Sequence, residues 1–533
     1  MKIWRSARVR TALSIVIVAL VLLGGLAYAS NTYLNPPLTS FYAPPHPLPP
    51  GKPGEIIKAE KIQTNYANVQ AWRVMYHSRD LRGNDVAVTG LFAAPTSAPP
   101  ENGFPLLGIA HGTEGLAREC APSLDPWALP PFAQEFFSFP DTVVVPFVQA
   151  GYAVTATDYQ GLGAAGNSAF LIGSIEAQNV LDSMRAIRSF DAIKLNEDNF
   201  VWGHSQGGHS AAFTAQLANE IAPELKLNGI VLAAPAAQLQ TLVETVLAPD
   251  QPSFLTGVAA MVAASWSQTY DLPLDVVLTP QGKTQVLPLL QECSANAVLG
   301  FALAKPSSLY FADPTKTSPW SDTMRLNIAQ GVKYAAPVFV AQGAADSVIA
   351  PQVTETFVQQ LCAAGNAVEF RLYPNASHAQ VVSASNADVV AWLNARANNE
   401  PAPSNCTAQV TMSPTPTPPP ALQSVIFSDG AFTPDASTIA ALEKQLPNFL
   451  AQQQNQFSAQ KSPIAERLTQ YKFQYWGEMQ NEKRVVVVNA FCTNFDYWKM
   501  QRVFVLDGGD CFFNLKYDLD AGTFFDLQVN REA

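Results

Sequence analysis

In "NFVWGHSQGGHSAAFTAQLANEI" a serine stands between glycines, and Gly203-His204-Ser205-Gln206-Gly207 has the spacing G-x-S-x-G. The apolar run before it reads as a strand, and the small-residue segment after it as a helix. In that setting the glycines permit a strained turn that lifts a serine hydroxyl to the sheet's carboxyl edge, where a nucleophile belongs. A plain packing turn is the alternative; the flanking strand and helix favour the nucleophile. A serine hydroxyl reacts poorly near neutral pH and needs a base within hydrogen-bond reach. The chain has six histidines. His46 lies in a proline-dense segment, His77 in an early strand and His111 in a loop after a core strand. His204 and His209 flank the serine and are expected to pack or to support the helix. His378, in "LYPNASHAQV", follows the last core strand, where a Ser–acid–His order places its base. A surface-loop histidine is its alternative.

The third member must orient the imidazole and stabilise it when charged. Asp346, in "VFVAQGAADSVIAP", follows a strand and a glycine turn, and its alternative reading is a helix cap. The tetrahedral oxygen needs backbone N–H donors. Gln206, directly after the serine, supplies one. Thr113 in "IAHGTEG" supplies the other, with Gly112 letting the backbone approach; a strand-end turn is the alternative there. Asp158 is expected to be structural, and Tyr159 to line the acyl pocket. No glycine-rich phosphate loop and no metal-spaced cluster occurs, so no cofactor is implied.

These residues must be positioned by a large scaffold. From Gly54 to about Asn398, short apolar runs ("PLLGIAHGT", "YAVTATDY", "NFVWGHS", "GIVLAAPA", "PVFVAQG", "VEFRLYP") alternate with helical patterns such as "GSIEAQNVLDSMRAIRSF". "IIKAEKI", "WRVMYHS" and "VAVTGLFAAP" read as antiparallel strands ahead of them. Such alternation predicts an α/β fold, a mostly parallel sheet wrapped by helices. One interval breaks the rhythm: Gln238 to Ala336 holds far more chain than one crossover helix needs. Its helix-like spacing of apolar residues reads as a cap, at about 238–336.

The 533 residues exceed one ordinary core, and "SPTPTPPP" marks a stiff linker at 409–423 between two domains. Beyond it, a helical "PDASTIAALEKQLPNFLAQQQ" precedes "YKFQYWGEM", "RVVVVNAFC", "QRVFVLDGG", "CFFNLKYDL" and "GTFFDLQVN". That order predicts a small α+β domain at 424–533 with a curled antiparallel sheet. A formal net charge of −11 argues against a duplex nucleic-acid binder. Lys2, Arg5, Arg8 and Arg10 precede an apolar run ending in Ala27-Tyr28-Ala29, so residues 1–29 read as a cleaved signal peptide. An uncleaved anchor is the alternative, since a span needs ~20 apolar residues. Residues 30–53 are proline-dense and read as an extended tether. Export makes the six cysteines a disulfide inventory, whose pairing composition leaves open.

Taken together, "PLLGIAHGTEG", "ATDYQGLG", "LDSMRAIR", "VWGHSQGGHSA" and "PVFVAQGAADSVIAPQ" resemble the secretory-lipase family of α/β-hydrolases. The resemblance covers residues 54–408. It implies the α/β-hydrolase fold, secreted carboxylic-ester hydrolysis, often of lipids, and a helical cap; Ser205, Asp346 and His378 fall on that family's triad. It also implies Cys120–Cys293 and Cys362–Cys406, leaving Cys492 with Cys511 in the small domain. That domain is outside the family pattern and is similar to cystatin-like or nuclear-transport-factor-like shapes. The expectation is an exported, monomeric serine lipase or esterase whose partner is an ester or lipid, with contact to a lipid interface open to it. An exported peptidase or acyltransferase of the same fold is the runner-up. A non-catalytic surface binding protein is the rival from another class.

Overall fold

The computed structural model describes residues 38–124, 140–334 and 336–406, together with 423–428, 430–453, 464, 467–480, 483–493, 498–499, 501–503 and 511–530. The expected signal or anchor segment at 1–29 and nearly all of the expected linker at 409–423 lie outside them. The chain divides into two compact units, Met1–Val410 and Thr411–Ala533.

The first unit is built on nine strands: β1 (Ile56–Ile62), β2 (Val69–Arg79), β3 (Asp85–Pro95), β4 (Phe104–Ala110), β5 (Ala153–Thr157), β6 (Leu195–His204), β7 (Leu227–Ala233), β8 (Val338–Gly343) and β9 (Val368–Tyr373). They form one sheet in the order β1-β2-β3-β5-β4-β6-β7-β8-β9. The pairs from β1 to β5 are antiparallel and those from β5 to β9 parallel. Period two sorts side chains to two layers. On β6, Val201 enters one core while Phe200 and Trp202 enter the other, and on β7 Ile230 and Leu232 oppose Val231 and Ala233. Helices cover both faces, which is why these strands read as continuous apolar runs. One face carries α2 (Gly173–Arg188), α3 (Gln206–Ile221) and α10 (Pro351–Ala363); the other carries α1 (Val145–Gln149) and α11 (Gln380–Ala397).

Between β7 and β8 the chain leaves the sheet for the cap. It comprises α4 (Leu239–Leu247), α5 (Leu255–Thr269), α6 (Pro280–Val286), α7 (Ser294–Phe301), α8 (Pro306–Leu309) and α9 (Trp320–Leu326). An apolar core around Met261, Trp266, Leu309 and Trp320 of the cap continues into Phe170, Ile172 and Ile175 beneath it. Cys120 is joined to Cys293 and Cys362 to Cys406. The described part of the proline-dense segment, 38–53, does not hang as a tether. Phe41 and Tyr42 are buried against Met75 and Leu162, and the Arg79 guanidinium donates to the Gly51 carbonyl at 2.7 Å. The aromatic pair, absent from a solvated spacer, accounts for the difference.

Among its described residues the second unit has one α-helix, α12 (Ala436–Gln452), and five strands: β10 (Gln423–Ile426), β11 (Lys472–Gln480), β12 (Lys483–Phe491), β13 (Phe512–Asp518) and β14 (Thr523–Val529). Asp435 caps the helix by accepting from the Thr438 N–H at 2.8 Å. Ile439, Leu442, Leu446 and Leu450 then face Phe473, Tyr475, Val488 and Phe513. The sheet is not wholly antiparallel: β10 pairs parallel with β11, and the rest is a meander. Of the expected strand at 501–509, residues 501–503 are not strand and the remainder lies outside the described residues. Cys492 is joined to Cys511. Among the described residues no helix is long and apolar enough to cross a membrane.

Candidate active site

The carboxyl ends of β4, β6, β7, β8 and β9 converge on one edge. Ser205 sits between β6 and α3 with φ +58°, a conformation that costs a non-glycine residue energy and persists only where its surroundings enforce it. The enforcement is visible. A Cβ on Gly203 would come within 1.9 Å of the Gly207 carbonyl oxygen, and one on Gly207 within 1.9 Å of that of Ala110. Only glycine permits so sharp a reversal. The Ser205 N–H donates to Ala233 at 3.0 Å, fixing the turn to β7.

His378 follows β9 in a loop that ends at α11. Its Nε2 lies 2.9 Å from Ser205 Oγ and its Nδ1 2.8 Å from Asp346 Oδ2. Asp346 follows β8, and its side chain is fully buried. It does not cap α10, whose N-cap is Ala350. Its Oδ1 accepts instead from the Val348 and Ile349 N–H groups at 2.8 Å each. Burial works to raise this carboxyl, but the hydrogen bond and charge of His378, with the two N–H groups, outweigh it and hold the group below the usual carboxylate range.

The close approach of Gly207 to Ala110 sets the start of α3 beside the loop after β4, so Thr113 and Gln206 line the same cavity as Ser205 and His378. Among the described residues, neither the Thr113 nor the Gln206 N–H donates to a backbone or side-chain acceptor. The loop is strapped to the cap: the Leu116 N–H donates to the Glu292 carbonyl at 3.0 Å and the Ser294 N–H to the Glu114 carbonyl at 2.8 Å, next to the Cys120–Cys293 bond. The cavity holds about 630 Å³. Leu239, Leu242, Val243, Phe254, Leu255, Val258 and Val262 of the cap give it an apolar wall, with Thr142 and Ser383 elsewhere on its lining. Among the described residues no cluster of histidine, cysteine and acidic side chains is arranged to hold a metal.

Tyr159 does not line this cavity. At φ +66° its ring turns onto His111, 4.3 Å away, and its hydroxyl donates to the His111 carbonyl at 3.2 Å. Asp158 is buried among donors, accepting from Thr89 Oγ1 at 2.7 Å and from the Ser123 N–H at 2.9 Å; burial raises it to about 6. Burial lowers His111 to about 4. Three groups support the site: His204, expected from the sequence to pack or to support the helix, and Gln342 and Glu114, which the sequence does not single out. The His204 Nε2–H donates to the His378 carbonyl at 2.8 Å, and burial, aided by the neighbouring His378, lowers His204 to about 3. It therefore braces the His378 loop as a neutral ring. The Gln342 amide donates to Asp346 Oδ2 at 3.0 Å. Glu114 faces the cavity, and burial with the nearby Asp158 raises its carboxyl to about 8. The G-x-S-x-G pattern points at His204 by position alone; nothing in the sequence singles out Gln342 or Glu114.

Known proteins resemble this chain in sequence and in fold. The secretory lipase family model matches residues 136–405. "Lipase 1" of Candida albicans is 25% identical over 417 residues, covering 72% of this chain and 86% of its own. A secreted triacylglycerol lipase of Malassezia globosa is 24% identical over 412 residues, covering 74% and 89%. The crystal structure of Candida antarctica lipase A in its closed state superposes with a TM-score of 0.58 at 20% identity, covering 68% of this chain and 86% of that one. The α/β-hydrolase fold is thus established, and the chain belongs to the secretory lipase family.

Proposed function

We propose that this protein is an exported serine-dependent carboxylic ester hydrolase that works through an acyl-enzyme. The observation that carries the reading is the unbroken hydrogen-bond line Ser205–His378–Asp346, set on a serine held at positive φ and opening into an apolar cavity. Ser205 Oγ attacks the ester carbonyl carbon while His378 Nε2 takes its proton. Asp346 holds the imidazole and stabilises its charge. The Thr113 and Gln206 N–H groups receive the negative oxygen of the tetrahedral intermediate. His378 then returns the proton to the departing alcohol, leaving the acyl group on Ser205. Water then attacks the acyl carbon while His378 Nε2 takes its proton; the bond to Ser205 Oγ breaks, His378 returns the proton to that oxygen, and the acid leaves.

The apolar cap wall and the secreted lipase relatives support a lipid ester as the substrate class, and those relatives with the segment at 1–29 support export. A peptidase that binds a substrate's amino end would usually want an acidic or aromatic anchor for it. Glu114, the acidic side chain on the cavity wall, is kept protonated near neutral pH and offers no such charge. The test is hydrolysis of p-nitrophenyl esters of increasing acyl length by the wild type, Ser205→Ala and His378→Ala. Both variants are expected to fold and to lose roughly 10⁴-fold or more in kcat, because triad members act as a unit. Wild-type turnover by pure Ser205→Ala would overturn the mechanism.

A further inference from the structure

Behind the nucleophile turn runs a line of buried polar side chains that the proposed reaction leaves unused. The Gln206 side-chain amide donates to Glu176 Oε1 at 2.7 Å, and the Leu171 N–H donates to the same oxygen at 2.9 Å. Glu176 Oε2 lies 3.2 Å from His209 Nδ1, and the His209 Nε2–H donates to the Asn327 carbonyl at 2.9 Å. Asn327 belongs to the end of the cap. Its amide donates to the Tyr270 hydroxyl at 2.9 Å and to the Thr323 carbonyl at 3.1 Å, and its Oδ1 accepts from the Gly173 N–H at 3.0 Å. Gln206, Glu176, His209 and Asn327 are all buried. Polar groups so placed cost the fold free energy unless each is partnered, and once partnered they fix one another's positions. An apolar side chain would fill the site of Glu176 with no such demand.

Gln206 is the first residue of α3, and its own N–H is one of the two aimed at the reacting oxygen. Gripping its side chain restrains the rotation of the peptide between Ser205 and Gln206. We infer that Glu176 is a positioning residue: it holds Gln206 so that this N–H stays preorganised, and through His209 and Asn327 it ties that alignment to the cap. The inference rests on the assignment of the Gln206 N–H as an oxyanion donor.

The test uses the full-length enzyme and p-nitrophenyl acetate. Glu176→Ala should lower kcat about 10- to 100-fold, less than outright loss of an oxyanion donor, with KM nearly unchanged. Glu176→Gln offers its Oε1 to the same two donors and its amide to His209, so it should retain close to wild-type kcat. Gln206→Ala should fall as far as Glu176→Ala, and the double variant no further than either. Wild-type kcat in folded Glu176→Ala, a loss carried by KM alone, or equal impairment in Glu176→Gln would overturn the inference. Should Glu176→Ala fail to fold, Gln206→Ala with wild-type kcat would overturn it equally. Full activity in Ser205→Ala would instead bring down the reaction itself; an inactive Ser205→Ala beside a fully active Glu176→Ala removes only the positioning role.

Discussion

Glu114 follows Thr113, a proposed oxyanion donor, and lines the same cavity, so its charge is expected to act on the oxyanion. With its carboxyl raised to about 8, the group is neutral through the physiological range. Above about 8 it becomes a carboxylate beside a site where negative charge must develop, and the two repel. Turnover is therefore expected to fall as pH rises through about 8, and Glu114→Gln to hold its rate across that range. Profiles of kcat/KM for both proteins check this; the same alkaline limb in Glu114→Gln would contradict it. Stability follows the same proton. An unfolded glutamate titrates near about 4.3, so the folded chain holds a proton that the unfolded chain has released. This group lowers stability progressively as pH rises from there to about 8 and leaves it untouched below. Asp346 runs the other way, since hydrogen bonds to its charged form overcome its burial. That Ser205, His378 and Asp346, the proposed triad, would lie together was legible because each stands at a fixed place after a strand. The behaviour of Glu114 was not, because it arises from what surrounds the side chain rather than from its neighbours in sequence.

At the scale of elements, what was legible is what local sterics dictate. The glycines at 203 and 207 admit no Cβ, so the strand–turn–helix had to be as tight as the motif implies. β4, β5, β7 and β8 are buried along most of their length, and their apolar runs announced them. The misses have physical causes too. Tyr159 was placed in the pocket because it follows a strand at the active edge, but its left-handed backbone turns the ring back onto His111. β10, Gln423–Ile426, is too short to show a period of two and takes its strand character from pairing with β11. The buried Phe41 and Tyr42 were masked by the prolines around them. The cap was legible as an insertion, and the family resemblance implied its Cys120–Cys293 tie to the loop after β4, but the hydrogen bonds beside that tie were not legible. Glu292 and Ser294 hold that loop through backbone hydrogen bonds, which leave no mark on side-chain pattern. The cap thus supports both proposed oxyanion donors, Thr113 by this strap and Gln206 by the Glu176–His209–Asn327 line.

Across the whole molecule, every group from Thr113 to His378 comes from the first unit, and the second unit has its own helix, sheet and disulfide. Units so equipped fold independently as a rule. A chain ending near Pro414 is expected to hydrolyse a small soluble ester at close to the full-length rate; collapse of turnover in a truncated chain that stays folded would show that the second unit serves the reaction. The central claim is that Ser205 alone is the activated nucleophile. A fluorophosphonate reacts with a serine only where a base has activated it, so the decisive measurement is peptide mapping of the full-length protein after brief exposure to such a probe. One adduct per chain on the peptide containing Ser205, abolished in His378→Ala, is the predicted result. An unlabelled Ser205 in folded protein, or an adduct on another residue with loss of ester hydrolysis, would contradict it.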